Sequence, residues 1–311
     1  MSNTDTSARD GAGRGSLARY AWISIGASLL TIALKAGAYL LTNSVGFLSD
    51  AVESVVNLVA GFMALAMLTI AARPADKGHA YGHSKAEYFS STTEGLLILA
   101  AAAGIIYTAA ARFADPQPLE RLGLGLAISA AASLVNLLAA RVLMAAGKRE
   151  NSITLEADAQ HLMTDVWTSV GVMAAIGLVA LTGWQRLDPI IAMLVGLNIV
   201  RAAFQILRRS IAGLMDASLP PEDLAVIARV MAVHEARGVT FHALRTRQAA
   251  AQRFVSVHLL VPGAVSLHDA HHLAEDFEGD VRRELPGTIV QTHLEPVDDE
   301  ISALDVHDTA D

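Results

Sequence analysis

The chain has 311 residues, of which 53% are hydrophobic and only 17% are charged, a composition that indicates a membrane protein. Its formal net charge of −8 provides no basic stripe to neutralise phosphates, which argues against nucleic acid as a partner. The absence of cysteine excludes disulfides and thiolate ligands, so any metal site must use histidine, carboxylate, amide or backbone groups.

The chain begins with a polar segment, residues 1–16, which we expect to be a disordered cytoplasmic tail. A membrane-spanning helix needs about 20 mostly apolar residues. The six segments that qualify, within a predicted transmembrane domain of residues 17–211, are 18–41, 46–72, 87–112, 121–146, 158–182 and 188–210. Several of the links between them are short, which favours antiparallel neighbours in a compact bundle. Lysine and arginine concentrate on the side that both termini share, which predicts that both termini are cytoplasmic.

Two of these spans carry polar side chains that are costly inside a membrane and are therefore functional candidates. In the second span Asp50, Glu53 and Asn57 lie on one helix face, and in the fifth span His161 and Asp165 do the same. Such faces can meet only in the bundle interior. The predicted four-ligand shell consists of Glu53, Asn57, His161 and Asp165. Mixed imidazole and carboxylate ligands suit Zn²⁺, Fe²⁺, Co²⁺ or Mn²⁺, while a proton relay or a structural network without metal remains an alternative.

The loop after the second span carries a short motif that is rich in histidine. Asp76, His79 and His83 are spaced by three and four residues, so they converge on one ion if the backbone turns helically. The alternative is a hydrophilic connector. The position of the motif at the predicted cytoplasmic mouth of the bundle favours a metal site.

From residue 212 to residue 296 the pattern changes to that of a soluble α+β domain. An amphipathic helix is predicted from Pro221, and the order continues as strand, strand, helix, strand. The predicted ranges are Thr240–Arg247, Arg253–Val261, 266–284 and Thr288–Leu294. The acidic segment 297–311 is predicted to be disordered.

Histidines crowd this soluble domain and predict a cytoplasmic metal site. Any single one is more often a surface residue than a ligand, but their density over strands and helix is unusual. The histidines are His242, His258, His268, His271, His272 and His293, with Glu295 closing the last strand.

Four phrases carry a resemblance to a known family: Ser44–Asn57 (SVGFLSDAVESVVN), Gly78–Glu87 (GHAYGHSKAE), Glu156–Asp165 (EADAQHLMTD) and His242–Gln248 (HALRTRQ). Over about residues 18–296 the chain resembles the cation diffusion facilitators, and most nearly their bacterial ferrous-iron and zinc efflux branch. The resemblance implies a transporter and not an enzyme. Six transmembrane helices would precede a metallochaperone-like cytoplasmic domain in a homodimer of the bacterial inner membrane, exporting divalent metal from the cytoplasm in exchange for protons.

The resemblance also implies roles for individual residues. The transport site would be Glu53, Asn57, His161 and Asp165, and the loop site Asp76, His79 and His83. The cytoplasmic ligands would be His242, His258, His271, His293 and Glu295, which leaves His268 and His272 as bystanders. Lys85 and Asp216 match a charge pair that ties membrane helices to the soluble domain across the dimer.

The second helix departs from the family pattern, because Glu53 and Asn57 stand where the family has Asp or His followed by Asp. An amide in place of a carboxylate removes one negative charge, so Fe²⁺, Co²⁺ or Mn²⁺ become candidates beside Zn²⁺. It also favours an alternative function, that of a non-transporting metal sensor or assembly partner. A proton-coupled carrier of an organic solute is a further alternative, which the histidine-rich loop and domain disfavour.

Overall fold

A computed structural model describes residues 17–42, 45–114, 123–300 and 302. Contacts within the chain divide it into two compact units, the first ending at Ile211 and the second beginning at Ala212. The predicted amino-terminal tail and most of the acidic carboxyl-terminal segment lie outside the described residues, so both expectations stay predictions.

The described part of the first unit consists of helices and the loops that connect them. Its helices are α1 (Ala18–Thr42), α2 (Val45–Ala71), α3 (Ala86–Ala114), α4 (Gly123–Glu150), α5 (Ile153–Thr182) and α6 (Leu187–Leu214). Five of them, all except α2, contain a stretch long and apolar enough to cross a membrane. The apolar stretch found in α2 is Asn57–Ala71, and only described residues enter that comparison. The helical membrane domain predicted from the sequence is therefore confirmed.

The start of α5 differs from the sequence prediction. The helix begins at Ile153, whereas hydropathy placed the start of the span at 158. Ser152 caps the helix, since its side chain accepts a hydrogen bond from the Leu155 N–H. Glu156 in the first turn is also favourable at a helix amino terminus. Hydropathy missed this turn because capping and acidic residues are polar.

Alanines allow the helices of the first unit to approach closely. One cluster joins Ala27 of α1, Ala139 and Ala140 of α4, and Ala159 of α5, and every one is buried. Small residues are the usual contact material between membrane helices, because apolar attraction to a neighbouring helix is no stronger than attraction to lipid. Many large apolar side chains point outward, as at Leu181, which is 84% exposed. Such a surface is suited to lipid.

The second unit is the small α+β domain that the sequence predicts. Its elements are α7 (Pro221–Glu235), β1 (Thr240–Ala249), β2 (Gln252–Val261), α8 (Leu267–Glu284) and β3 (Thr288–Pro296). The strands lie in the order β1-β2-β3, with β1 antiparallel and β3 parallel to β2. Val257 and Leu259 of β2 are fully buried with Phe277 of α8, so the helices cover one face of the sheet.

Strand register decides where the histidines of this sheet lie. His242 of β1 pairs with His258 of β2, and His258 pairs in turn with His293 of β3. The β1–β2 register shifts immediately after this row, between His242 and Arg245, where Ala243 has a φ of 50°. Three histidines from three strands therefore form one row across the sheet.

Candidate metal centres

Helices α2 and α5 bring polar side chains together in the interior of the first unit. Asn57 of α2 donates a hydrogen bond from Nδ2 to Asp165 Oδ2 of α5 at 2.6 Å. The Asn57 Oδ1 atom lies 2.6 Å from His161 Nε2, also of α5. All three side chains are buried, with exposed fractions of 3–7%. The structure thus joins three of the four residues predicted for the transport site.

Glu53 is the fourth predicted member. Its backbone lies in α2, one helical turn before Asn57, but its side chain is outside the part of the chain whose side chains the structure describes. The same holds for Asp50. Their participation in the intramembrane cluster therefore stays a prediction.

The structure adds a residue to this cluster that the sequence argument did not name. Asn136 of α4 donates a hydrogen bond from Nδ2 to Asp165 Oδ2 at 2.9 Å and is 1% exposed. Its Oδ1 atom is buried and has no hydrogen-bond partner among the described residues. A polar amide in the middle of an apolar span was the signal that could have identified it, but its partner on α5 cannot be read from the sequence.

The cluster offers a cation both oxygen and nitrogen. Two amides hold the Asp165 carboxylate, and His161 Nδ1 has no hydrogen-bond partner among the described residues. A cation entering here would exchange the hydrogen bonds of Asn57 for bonds to the Asp165 carboxylate, the Asn57 carbonyl oxygen and the His161 ring. Neutral imidazole with oxygen ligands is a set that suits zinc and its first-row neighbours.

The loop between α2 and α3 brings its three predicted ligands together. The Asp76 carboxylate lies 3.4 Å from His79 Nδ1 and 3.5 Å from His83 Nε2. The potential ligand atoms of the three residues lie within 4.8 Å of one another. Hydrogen bonds from the backbone N–H groups of His79 and Gly78 lower the pKa of the Asp76 carboxyl, although desolvation opposes them. The carboxylate is therefore held in the charged form that a cation needs.

The sheet of the second unit forms another cluster around a carboxylate. Glu295 Oε2 lies 2.8 Å from His242 Nε2, and Glu295 Oε1 lies 2.9 Å from His258 Nδ1. The ligand atoms of these three residues also lie within 4.8 Å of one another. His293 Nε2 is 3.5 Å from Glu295 Oε1 and completes the row of rings.

His271 is not part of the group around Glu295 that could hold an ion among the described residues. It is exposed on α8, where its ring lies 5.9 Å from that of His272. Asp216 accepts a hydrogen bond from Arg247 of β1 at 3.2 Å, within the second unit. Lys85 belongs to the first unit, so its predicted pairing with Asp216 across a dimer stays a prediction.

Two family models match the chain. The model of the cation efflux transmembrane domain matches residues 21–215, and the model of the cation efflux protein cytoplasmic domain matches residues 219–297. A transporter of Synechocystis described as uncharacterized is 51% identical over 280 residues, which cover 90% of each chain. The cation-efflux pump FieF of Pectobacterium atrosepticum is 30% identical over 87% of this chain and 89% of its own. FieF of Klebsiella pneumoniae is 30% identical over 90% of this chain and 92% of its own.

Proposed function

The chain belongs to the cation efflux family of membrane transporters, the cation diffusion facilitators, and on that premise we propose that it exports a divalent transition-metal ion in exchange for protons. The proposed transport site is the intramembrane cluster of Asn57, Asn136, His161 and Asp165, together with Glu53. The observation that supports it is the buried Asp165 carboxylate, which is held by two amides inside an apolar bundle.

The proton exchange follows from ligand chemistry. A carboxylate must be ionised and an imidazole neutral before they bind metal, so metal binding releases protons and protonation releases metal. The reference pKa of histidine, about 6.5, lies between the pH of a neutral cytoplasm and the pH of a more acidic exterior. The site would take the ion when it faces inward and exchange it for protons when it faces outward.

Zinc is the substrate we propose first, because imidazole with carboxylate is its usual ligand set; Fe²⁺, Co²⁺ and Mn²⁺ are the alternatives. The amide of Asn57 in place of a carboxylate favours this wider range. We place both termini in the cytoplasm, in keeping with the distribution of lysine and arginine. The membrane would be the bacterial inner membrane.

The cytoplasmic cluster of His242, His258, His293 and Glu295 has a proposed regulatory role. Metal held there would bridge or stiffen the second units of a homodimer and favour the transport-competent state by differential binding. Replacing His258 and His293 by alanine should raise the metal concentration that half-activates transport. If that variant is activated at the same metal concentration as the wild type, the regulatory role is contradicted. The proposal for the transport site would not be affected.

The transport proposal is tested on a reduced chain, in which the loop and cytoplasmic clusters are removed by H79A, H83A, H258A and H293A. The reduced chain should bind one Zn²⁺ tightly and lose that tight binding on Asp165→Ala. In proteoliposomes the intact chain should transport Zn²⁺ when a pH gradient is present. The Zn²⁺ flux should fall sharply when the gradient is collapsed. A Zn²⁺ flux that does not depend on the pH gradient would refute proton antiport but not metal export.

A second candidate function is that of a non-transporting metal sensor or assembly partner. The observation that favours it is the hydrogen bond from Asn57 to Asp165, since an amide can satisfy the carboxylate without a cation. This alternative predicts Zn²⁺ binding at the cytoplasmic cluster but no flux in proteoliposomes. Flux that is abolished by Asp165→Ala would eliminate it.

A further inference from the structure

Two more carboxyl groups are buried in the first unit, outside the proposed transport site. Glu94 of α3 is 0% exposed and Asp158 of α5 is 1% exposed. A buried ionisable side chain in a membrane span is costly, and it persists where it has a function or a compensating partner. Among the described residues, no lysine, arginine or histidine forms an ion pair with either of them.

The two carboxyl groups lie on helices that pack against each other, and each accepts a hydrogen bond from one serine. Ser90 Oγ donates to Glu94 Oε1 at 3.0 Å, and Ser24 Oγ of α1 donates to Asp158 Oδ1 at 2.9 Å. Glu94 belongs to α3 and Asp158 to α5. The helices that carry them pack together one turn further on, where Ile98 of α3 belongs to the same buried cluster as residues of α5 and α6.

Several buried oxygen atoms in this region have no hydrogen-bond partner in the part of the chain that the structure describes. Glu94 Oε2 and Asp158 Oδ2 are buried and make no hydrogen bond to any described residue. The same is true of the hydroxyl of Ser28, which is 0% exposed and lies one turn from Ser24 on the same face of α1. A buried polar atom without a partner is costly, and a charged one is more so. Among the described residues nothing satisfies these oxygens, so they are free to accept a cation.

The position of the pair relates it to the transport site. Asp158, His161 and Asp165 follow one another at intervals of three and four residues, so they form one polar stripe along α5. Asp158 is the member nearest to Ile153, where the helix begins. At a rise of about 1.5 Å per residue it lies about 4.5 Å along the axis from His161.

We propose that Glu94 and Asp158 form a second site for a divalent cation, at which the exported ion stops before it reaches the transport site. Two carboxylates balance the charge of one divalent ion, and the hydroxyl groups of Ser24, Ser28 and Ser90 add neutral oxygen. Oxygen ligands alone hold first-row metals more weakly than a site that includes imidazole. An ion would therefore pass readily from this acidic pair to His161 and Asp165. The order of the two sites rests on the proposed inward-to-outward direction of transport.

The test uses Mn²⁺, which oxygen ligands suit and whose free ion has a strong electron paramagnetic resonance signal. The reduced chain is purified at full length in nanodiscs and carries Asp165→Ala and His161→Ala in addition, so that the transport site is disabled. We expect this chain still to bind about one Mn²⁺. Adding E94Q and D158N together should weaken that binding at least tenfold.

A matched control lies on the same helix. Glu87 of α3 is also buried, but its carboxylate already accepts hydrogen bonds from Ser152 and from the Thr154 N–H. Glu87→Gln should therefore leave Mn²⁺ binding unchanged. Each variant is checked by size-exclusion chromatography and circular dichroism. If the double variant fails to fold, the single variants E94Q and D158N decide, and each should weaken binding severalfold.

Unchanged Mn²⁺ binding in the folded E94Q/D158N variant, or equal loss in the Glu87→Gln control, would overturn the acidic-pair site. The proposed function fails by a different measurement, namely the absence of Zn²⁺ flux in proteoliposomes of the intact chain. If flux is present and Mn²⁺ binding is insensitive to E94Q and D158N, only the second site is refuted. If Mn²⁺ binding is lost as expected but flux is absent, the site stands and the transport function is refuted.

Discussion

Substituting Asn57 by aspartate tests whether this position faces the cation. In the structure Asn57 Nδ2 donates to Asp165 Oδ2 at 2.6 Å, so Asn57→Asp would place two carboxylate oxygens against each other. Two unit charges about 4 Å apart repel by about 4 kcal/mol at an effective dielectric constant of about 20. That repulsion must be relieved by a cation or by a proton.

A divalent cation bound between the two carboxylates would remove this repulsion. If about half of it, roughly 2 kcal/mol, appears as net binding free energy while protonation relieves the rest, the Kd for Zn²⁺ falls about 30-fold. The gain should shrink as the pH falls, because protons compete with the metal for the same oxygens. In the metal-free state the variant should also unfold at a lower temperature than the parent chain.

The assay is a competition titration of Zn²⁺ against a chelating dye, performed on the reduced chain with and without Asn57→Asp. Asn151→Asp is the matched control, since it makes the same chemical change at the α4–α5 connection, where the φ of 51° is tolerated by aspartate. The control should bind Zn²⁺ as the parent does. A Kd that stays within threefold of the parent value in Asn57→Asp would mean that Asn57 does not face the cation.

Two further predictions concern stability. Gly147→Ala should destabilise the first unit by about 1–3 kcal/mol, because the added Cβ would lie 2.9 Å from the backbone nitrogen of Glu156. Gly104→Ala is the control, since a Cβ there meets nothing within 4 Å. Thermal unfolding in detergent compares the two variants. The hydrogen bond with His234 lowers the pKa of Asp280, so its stabilisation is present above the unfolded value of about 3.9 and is lost as the pH falls through the lower, folded value. Asp280→Asn should therefore lower the opening free energy of α8, measured by hydrogen exchange, by about 1 kcal/mol at pH 7. It should have little effect at a pH below the folded pKa of Asp280. An equal effect of Asp280→Asn at both pH values would contradict this assignment.

The sequence alone determined the architecture of both units. A span of about 20 apolar residues has few stable forms in a membrane other than a helix, and alternation of apolar side chains marks β2 in the same local way. The sequence also indicated that His161 and Asp165 face the bundle interior, because a polar face on an apolar helix is costly against lipid. These properties depend only on residues that are close together in the chain.

Tertiary structure decided which polar groups meet. Asn136 reaches Asp165 only because α4 packs against α5, and the helices that carry Glu94 and Asp158 adjoin only because α3 packs against α5 as well. The row of His242, His258 and His293 likewise depends on strand register, which a shift of one residue would destroy. Such contacts join residues far apart in the chain. The intramembrane cluster thus contains Asn57, His161 and Asp165 as the sequence predicted, while Asn136 and the acidic pair were found only through packing.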